Sequence, residues 1–388
     1  MSAFEEIRRR HRDLTEIRRD IHAHPELGLE EHRTAEIVAQ KLAEWGIEVH
    51  RGIGGTGVVG VLRSGNGPGS IGLRADMDAL PIHETTNLPY ASGEAGKMHA
   101  CGHDGHTTML LGAARYLAET RAFNGTVNFI FQPGEEGIGG ALAMLKDGLF
   151  QRFPCDAIYG MHNRPGMPVG KYGITPGAAM AGGAFFDITI TGRGAHGARP
   201  EESVDSVLVA CHIGTALQSI VSRNAPPRET AVLSVTRIRA GDAYNVIPDT
   251  AVLSGTARTM RRETMNLIEQ GMVRIATNVA EGFGAAASVD FRLIFAPLVN
   301  HPEHVTAIAD AAAELVGDEN VDRAKPPAVA SEDFSFMMEQ VPGAYINLGN
   351  GEQSAPVHNP NYNFNDEAIP FGSALFARLI ERQLPRGQ

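Results

Sequence analysis

The chain has 388 residues, 43% of them hydrophobic and 20% charged, which is typical of a globular protein large enough for two domains. Its formal net charge of −11 argues against nucleic acid as a partner, because phosphate binding requires clustered lysine and arginine. Three widely spaced cysteines, a charged N-terminus and no apolar run near the roughly 20 residues of a membrane helix predict a cytoplasmic protein with reduced thiols and no membrane segment.

Two amphipathic helices are predicted at the start of the chain, over residues 4–20 and about 29–45. A break around Pro25 separates them, because proline and the glycine that follows it interrupt helices. His22 and His24 lie beside this break. We expect them to act at a helix end or in packing rather than as metal ligands.

A glycine-rich segment, Gly52-Ile-Gly-Gly-Thr-Gly57, fits the G-x-G-x-x-G pattern of dinucleotide-binding sites. Such a site requires a helix directly after the glycines, whose N-terminus holds the pyrophosphate. A short β-type run follows here instead, over residues 58–65. The segment therefore indicates a glycine-rich β-turn and argues against a nucleotide-dependent oxidoreductase.

The next predicted strand, residues 71–75, ends in two carboxylates, Asp76 and Asp78. Sites in open α/β sheets form at the carboxyl ends of strands, so this position suits a functional group. Two loop aspartates that cap turns are the alternative. Taken alone, the pair favours this structural interpretation.

The segment Met98–His106 places three histidines, a cysteine and an aspartate within nine residues. Cys101 and His103 are two residues apart, and alternate side chains of an extended segment point the same way. A thiolate beside an imidazole suits a borderline-soft metal such as zinc. A structural cysteine in a turn and a nucleophilic Cys–His pair are the alternatives. A helix is predicted to follow over residues 107–120.

Two further predicted strands also end in side chains that can bind a ligand. Residues 126–131 lead to Glu135 and Glu136, and residues 156–161 lead to His162. Adjacent glutamates diverge in direction, so one can bind a metal while the other faces a reacting water. A solvated acidic turn would explain the glutamates alone. The third strand end of this kind makes coincidence the weaker account.

The middle of the chain, residues 183–296, has the predicted order β-α-β-β-α-β of a ferredoxin-like module. It is predicted as an insert in a larger α/β domain formed by residues 1–182 and 297–388. His196 stands between small residues of the insert and has room to face a ligand, although a surface-loop histidine is the simpler interpretation.

The α/β pattern resumes after the insert with helices and a strand at residues 344–348. Ser331 and Asp333 precede a predicted helix and are expected to cap it. His358 lies in a polar loop that contains proline, and it completes a set of side chains able to bind metal.

Five side chains form the predicted metal-binding set: Cys101, His103, Glu136, His162 and His358. Five mixed ligands exceed one tetrahedral zinc but suit two metals that share a bridge. A pair of divalent ions can activate water and polarise a carbonyl. Glu135 would take the proton from water and later deliver it to a leaving amine. This combination predicts amide hydrolysis.

Several strings together resemble the metal-dependent amidohydrolases of the hippurate hydrolase, aminoacylase and auxin-conjugate hydrolase group. They are RADMDALP, MHACGHDGHT, FQPGEEG, MHN, GRGAHGARP, NVIPD, SEDFS and HNPNYNFND. They occur in order over nearly the whole chain. The group belongs to a larger metallopeptidase family that includes aminoacylases and dinuclear zinc carboxypeptidases.

The resemblance implies roles for individual residues of the catalytic domain. Cys101 would bridge the two metals, where the wider family often has aspartate, and the other four members of the set would complete the ligands. Glu135 would be the general base. Asp78 resembles the aspartate that orients a metal-binding histidine, although that histidine's position is Asp76 in this chain.

The resemblance also implies roles for residues of the insert. His196 would reach the active site of the partner in a dimer and stabilise the oxyanion. Asn245 and Arg258 would grip the substrate carboxylate, a task that suits the paired donors of arginine. The insert would then serve as a lid and dimerisation domain that opens and closes.

The sequence thus predicts an α/β protein with a mixed-sheet, zinc-peptidase-like catalytic domain and a ferredoxin-like lid. It would hydrolyse small N-acyl amino acids with two divalent ions, zinc or manganese, with nickel or cobalt as alternatives. A homodimer, or a larger assembly built on it, is expected. A dipeptidase or carboxypeptidase, a thiol hydrolase using Cys101 and a non-catalytic metal-binding protein are the competing hypotheses.

Overall fold

The computed structural model describes residues 2–386 and divides into two compact units. The first unit contains the residues up to Ala179, the segment Val299–Pro327 and the residues from Asp333 onwards. The second contains Met180–Leu298 and Ala328–Glu332. Within residues 2–386, every helix is too short or too polar to cross a membrane.

Strands and helices alternate along most of the chain. The strands are β1 (Glu48–Ile53), β2 (Gly57–Ser64), β3 (Ser70–Asp76), β4 (Gly125–Gln132), β5 (Ala157–Pro165), β6 (Tyr172–Gly173), β7 (Gly177–Met180), β8 (Gly182–Thr191), β9 (Ala195–His196), β10 (Ala231–Ala240), β11 (Val246–Ile247), β12 (Thr250–Thr259), β13 (Ala286–Phe295), β14 (Leu298–Asn300), β15 (Val321–Asp322) and β16 (Gly343–Gly351). The α-helices are α1 (Ala3–Arg8), α2 (His11–Ala23), α3 (His32–Glu44), α4 (His103–Thr120), α5 (Gly140–Lys146), α6 (Leu149–Arg152), α7 (Ser206–Ser219), α8 (Arg262–Gly282), α9 (Pro302–Val316), α10 (Phe334–Met338) and α11 (Ile369–Gln383).

The first unit is built on a mixed sheet with the strand order β1-β2-β4-β3-β5-β16-β6-β15. Its four central strands, β4, β3, β5 and β16, run parallel to one another. They are buried apolar strands, as parallel sheets covered on both faces require. The carboxyl ends of β3, β4 and β5 therefore meet at one edge of the sheet, as the three polar strand ends led us to expect.

The predicted glycine-rich turn is confirmed. β1 and β2 pair antiparallel on either side of it, and Ile53 lies opposite Gly57. Gly54 has a left-handed φ of 68°, and a Cβ atom there would lie 2.5 Å from the backbone nitrogen of Met144. Only glycine fits this close approach, so the glycines shape a hairpin and do not bind a nucleotide.

Several predicted element boundaries are wrong, and two of them affect the site. The predicted helix over residues 4–20 is two helices, α1 and α2, separated at Arg9 and Arg10. α4 begins at His103 rather than at residue 107, directly after Gly102 with its left-handed φ of 92°. β5 continues to Pro165, so His162 lies within the strand rather than after it. Hydrophobic periodicity does not locate such boundaries, because polar residues here occupy buried positions.

The prediction that Asp333 caps a helix is wrong. Asp333 occupies the N-cap position of α10, but its side chain makes no capping hydrogen bond. Its carboxylate instead accepts from Gln132 Nε2 at 2.7 Å and from the backbone N–H of Ala141 at 2.9 Å. Buried donors elsewhere in the fold compete for this carboxylate more effectively than the helix start does.

The second unit contains the succession β8-α7-β10-β12-α8-β13, and its sheet has the strand order β10-β12-β8-β13 with antiparallel neighbours throughout. α7 and α8 share an apolar core with the sheet that includes Ile188, Ile213 and Ile268. The opposite face of the sheet is more exposed, as Phe185 illustrates, and it carries polar contacts such as the Arg292–Asp187 ion pair. Alternation along each strand explains this division, because successive side chains point to opposite faces.

Candidate metal centre

The site begins where β5 and α4 come together. Cys101 and His162 are 61 positions apart in sequence, yet the sulfur of Cys101 lies 3.3 Å from Nε2 of His162. His103 is the first residue of α4, and its imidazole joins them. The potential ligand atoms of the three residues lie within 4.8 Å of one another. A thiol and two imidazoles at this spacing form a donor set that zinc and related divalent ions prefer.

A second group of potential ligands shares Cys101 with the first. It contains Glu136, from the loop after β4, and His358, whose Nε2 lies 3.1 Å from Oε1 of Glu136. The backbone N–H of His358 donates to the carbonyl of Ala100 at 2.7 Å, which holds this histidine beside Cys101. His358 has a left-handed φ of 63°, a costly conformation for a residue other than glycine and one that concentrates at functional sites.

Neighbouring acceptors fix the orientation of the imidazoles. Asp78 lies 3.0 Å from Nδ1 of His103, and the carbonyl of Asn163 lies 2.7 Å from Nδ1 of His162. Each acceptor requires a proton on Nδ1, so in the neutral form of each ring Nε2 carries the lone pair. Nε2 of His103 is buried and has no hydrogen-bond partner among the described residues. A buried nitrogen with no partner, facing other ligand atoms, fits a metal ion.

Burial also shapes the titration of this group. Burial raises the pKa of the Cys101 thiol well above its usual range. Burial lowers the pKa of His162 to about 3, and the nearby His106 acts in the same direction. Burial opposes a charge on His103, but Asp76 and Cys101 outweigh it and raise the pKa of that imidazole. His162 is thus neutral and ready to bind a metal, while a cation would displace protons from the other two.

The candidate general base lies next to the ligands. Glu135 is buried, with a relative exposure of 6%. Glu135, Glu136 and His103 each offer one potential ligand atom, and these three atoms lie within 4.8 Å of one another. The two glutamates follow β4 directly, on the edge of the sheet that also carries Asp78. The structure therefore brings together Glu135, Asp78 and all five predicted ligands.

Sequence reasoning missed the role of His106. Its Nδ1 lies 2.6 Å from Asp76, and its Nε2 accepts from the backbone N–H of Asn163 at 3.0 Å. Both nitrogens are therefore engaged in joining β3 to β5. The spacing of three residues from His103 on a helix was the signal, because such residues share a face.

The prediction of a packing role for His22 is confirmed. The side chain is fully buried, with Nδ1 2.8 Å from the carboxylate of Asp104 and Nε2 3.4 Å from that of Glu84. His24 is exposed at the end of α2 and lies against the carbonyl of Asp20. His22 and Asp104 join two helices of the first unit.

Within the second unit, His196 and Asn245 are neighbours. His196 pairs with Val246 in a two-stranded ladder, and the N–H of Gly197 donates to the carbonyl of Asn245 at 2.7 Å. The exposed imidazole of His196 accepts at Nδ1 from the N–H of Ala198, so the proton of the neutral ring is on Nε2.

Arg258 lies near the end of β12 in the four-stranded sheet, whereas His196 lies in the separate β9–β11 ladder. Arg258 follows the first residue of β12, Thr250, by eight positions, and a strand rises about 3.3 Å per residue, so roughly 26 Å of strand separates the two. Its guanidinium lies 6.0 Å from the ring of Phe185, and burial lowers its pKa. One copy of the second unit thus brings Asn245 to His196 but does not bring Arg258 to either of them.

Comparison with known proteins places this geometry in a family context. The family model described as Peptidase family M20/M25/M40 matches residues 72–382. The hippurate hydrolase of Campylobacter jejuni is 44% identical over 96% of this chain and 97% of its own length. An N-acetylcysteine deacetylase of Bacillus subtilis is 40% identical over 95% and 96% of the two chains. Among solved structures, the YXEP protein of Bacillus subtilis, described as a dinuclear metal binding peptidase of the M20 family, is 36% identical with a TM-score of 0.83 over 96% and 98% of the two chains.

Proposed function

This chain belongs to peptidase family M20/M25/M40, and from that membership we propose that it hydrolyses the amide bond of N-acyl amino acids with two divalent metal ions. The products would be a carboxylic acid and a free amino acid. One observation carries the proposal above the rest: two groups of metal-binding side chains share Cys101, and Glu135 lies beside them. Cys101 would thus serve both groups, with Glu135 next to them as a base.

The side chains divide the work between binding and proton transfer. Cys101, His103, Glu136, His162 and His358 would hold the two ions. When bound, the ions would supply Lewis-acid polarisation of the scissile carbonyl and lower the pKa of a water. Glu135 would take the proton from the attacking water and deliver it to the nitrogen of the leaving amine. Asp78 would keep the lone pair of His103 directed at the ions.

We propose acyl amino acids such as N-benzoylglycine or N-acetyl amino acids as substrates. The support is the activity in the names of the two relatives, each matched over at least 95% of this chain. A dipeptidase or carboxypeptidase on the same scaffold is the second candidate, because the family and its solved member YXEP are described as peptidases.

The test is release of free amino acid from a panel of N-acyl amino acids and dipeptides. The protein is stripped of metal with a chelator and then supplied separately with zinc, manganese, cobalt or nickel. Cleavage of acyl amino acids that stops on stripping and returns with metal supports the proposal and ranks the metals. Preference for dipeptides would favour the second candidate, and cleavage that survives stripping would contradict metal dependence.

The same assay separates two further hypotheses. A thiol hydrolase using Cys101 would lose activity on alkylation and keep it in chelator, but burial raises the pKa of this thiol and so opposes formation of the nucleophilic thiolate. A non-catalytic metal-binding protein would bind metal and cleave nothing. The buried Glu135 beside the ligands argues against that hypothesis.

We also propose that residues 183–296 form a ferredoxin-like lid and dimerisation domain inserted between catalytic segments 1–182 and 297–388. The β-α-β-β-α-β order and the strand order of the second unit support the assignment. β10 is an edge strand with exposed Val232 and Ile238, which suits pairing with a second copy. The separation of His196, in the β9–β11 ladder, from Arg258, near the end of β12, also supports a dimer, since residues from two copies could then serve one substrate.

The remaining proposals concern the metal and the setting. Zinc or manganese is proposed as the physiological ion, because sulfur and imidazole suit zinc, whereas the carboxylate ligand also suits manganese. A cytoplasmic location is supported by the free thiols of Cys101, Cys155 and Cys211. The add-back assay ranks the metals directly.

A further inference from the structure

Glu31 is a carboxylate with no exposed surface that lies against the loop carrying Glu135. Its Oε1 accepts a hydrogen bond of 2.8 Å from the backbone N–H of Gly134, the residue directly before Glu135. Its other oxygen accepts from the hydroxyl of Thr56. Burial raises the pKa of Glu31, while the hydrogen bond from Thr56 acts in the opposite direction. A buried carboxylate is costly unless donors satisfy it, so these contacts define its place in the fold.

The loop after β4 requires such support because of its composition. Gly134 and Gly137 stand on either side of the two glutamates, with left-handed φ values of 55° and 80°. Glycine loses more conformational freedom on folding than any other residue, so a loop built this way is mobile unless bonds hold it. Within the loop, the N–H of Gly140 donates to the carbonyl of Gly134 at 2.9 Å. The hydrogen bond to Glu31 anchors the same residue from outside the loop.

A second buried carboxylate, Asp333, holds the other side of the loop. It accepts from the side chain of Gln132 at 2.7 Å and from the backbone N–H of Ala141 at 2.9 Å, two residues that bracket the loop. Its own backbone N–H lies 3.4 Å from Oε1 of Glu135. Arg74 lies 3.3 Å away and compensates the charge. Asp333 therefore contacts both ends of the loop and the proposed base itself.

We propose that Glu31 and Asp333 are positioning residues for Glu135. The two carboxylates bond to different positions around the glycine-rich loop, Glu31 to Gly134 and Asp333 to Gln132 and Ala141, so that the carboxylate of Glu135 stays in place beside the metal-binding residues. Neither residue would touch the substrate or bind metal. This inference rests on the proposed function, in which Glu135 is the general base. Displacement of a catalytic group by about 1 Å can reduce the rate on the order of 100-fold, so the effect is measurable.

A matched control lies in the same segment. Glu26 accepts hydrogen bonds from the backbone N–H groups of Arg33 and Thr34, both at 2.9 Å, and so supports the start of α3. Like Glu31 it is a carboxylate that satisfies backbone donors. Unlike Glu31, its side chain bonds to α3 rather than to the loop after β4. Glu26→Ala therefore reports the cost of losing a structural carboxylate in this part of the chain.

The experiment compares Glu31→Ala, Glu31→Gln and Glu26→Ala in the metal-loaded full-length protein. Metal content, the thermal midpoint, kcat and KM are measured for each on a substrate that the wild type cleaves. Glu31→Ala should lower kcat about 10- to 100-fold, with KM and metal content within twofold of the wild type. Glu31→Gln keeps an oxygen for Gly134 and should restore kcat to within about fivefold. Glu26→Ala should lower the midpoint but leave kcat within twofold.

Asp333→Asn tests the second side of the loop. The carboxylate uses one oxygen for Gln132 and the other for Ala141, whereas an amide has a single oxygen. One of these hydrogen bonds is therefore lost, and kcat should fall at constant KM. The proposal is overturned if Glu31→Ala keeps the wild-type kcat, or if its loss of activity comes with loss of metal or with an equal loss in Glu26→Ala. If the wild type cleaves only dipeptides, the proposed substrate class is wrong, but the same comparison of variants can be made with a dipeptide as substrate. A wild type inactive on both classes overturns both proposals.

Discussion

Asp78 lies 3.0 Å from Nδ1 of His103 through one carboxylate oxygen, and it accepts from the backbone N–H of Glu136 through the other, also at 3.0 Å. The side chain thereby joins α4 to the loop after β4 and contacts two of the proposed metal ligands. Asp76, two residues earlier, makes a different set of bonds, to Arg74 and His106. Two carboxylates at one strand end therefore have separate tasks.

Replacement of Asp78 should weaken metal binding. Asp78→Asn places a neutral amide where His103 requires a carboxylate acceptor, and the loss of such a partner typically lowers metal affinity about 10- to 100-fold. Titration of the stripped protein with zinc against a competing chelator measures the change. Asp20→Asn, which alters an exposed ion pair with Arg33, serves as the control. An unchanged affinity in Asp78→Asn would contradict the orienting role.

Removal of the carboxylate of Glu135 should separate metal binding from turnover. Glu135→Ala leaves the five proposed ligands in place, so the protein should still bind two ions per chain. Loss of a general base typically lowers the rate about 10²- to 10⁴-fold, and kcat should fall within this range. Metal analysis and steady-state kinetics on the same sample give both quantities. A variant that loses metal along with activity would assign Glu135 to the ligand set instead.

His22 should make stability depend on pH between about 6.5 and 9. Burial opposes its charge, but Asp104 and Glu84 outweigh burial and raise the pKa of His22 from 6.5 to about 9, against the smaller opposing effect of Arg18. A pKa raised by folding contributes stability that is fully present below pH 6.5 and is lost as the pH rises through 9. The upper limit is on the order of 3 kcal/mol at 1.36 kcal/mol per unit.

Urea unfolding of the metal-free protein at pH 6 and pH 9 measures this contribution. The difference in unfolding free energy between the wild type and His22→Asn should be larger at pH 6 than at pH 9. His24→Asn, which replaces an exposed histidine of the same region, should have the unfolding free energy of the wild type at both pH 6 and pH 9. A difference that does not change with pH would show that His22 contributes by packing alone.

Mixing of two inactive variants should reveal whether His196 acts across a dimer. If it serves the partner's site, a mixed dimer of His196→Ala and Glu135→Ala has one intact site and one site with both defects. Random mixing then restores roughly a quarter of wild-type activity, because half of the dimers are mixed. If His196 serves its own chain, the mixture stays as inactive as its components. Gel filtration with light scattering measures the oligomeric state, and copurification of an untagged variant with an affinity-tagged one confirms exchange of subunits.

The sequence predicted much of the site because the relevant information is local. The strand ends at Asp78, Glu136 and His162 are visible as polar residues after apolar runs, and the sheet carries all three to one edge. The order of elements in residues 183–296 could be read in the same way from alternating periodicities. The boundaries of α4 and β5 could not, because the site places polar side chains at buried positions where periodicity expects apolar ones.

By itself, the sequence determined the chemical identity of the donors and showed which of them follow apolar runs. Only the tertiary structure decided which donors face one another. It set Cys101 against His162 across 61 positions and separated Arg258 from His196. Among residues 2–386, it left Nε2 of His103 without a hydrogen-bond partner while both nitrogens of His106 are engaged. It also engaged Asp333, a predicted helix cap, with Gln132 and Ala141 instead. The physical reason is that strand order and register follow from packing between distant segments, whereas periodicity reports only which face of an element is buried.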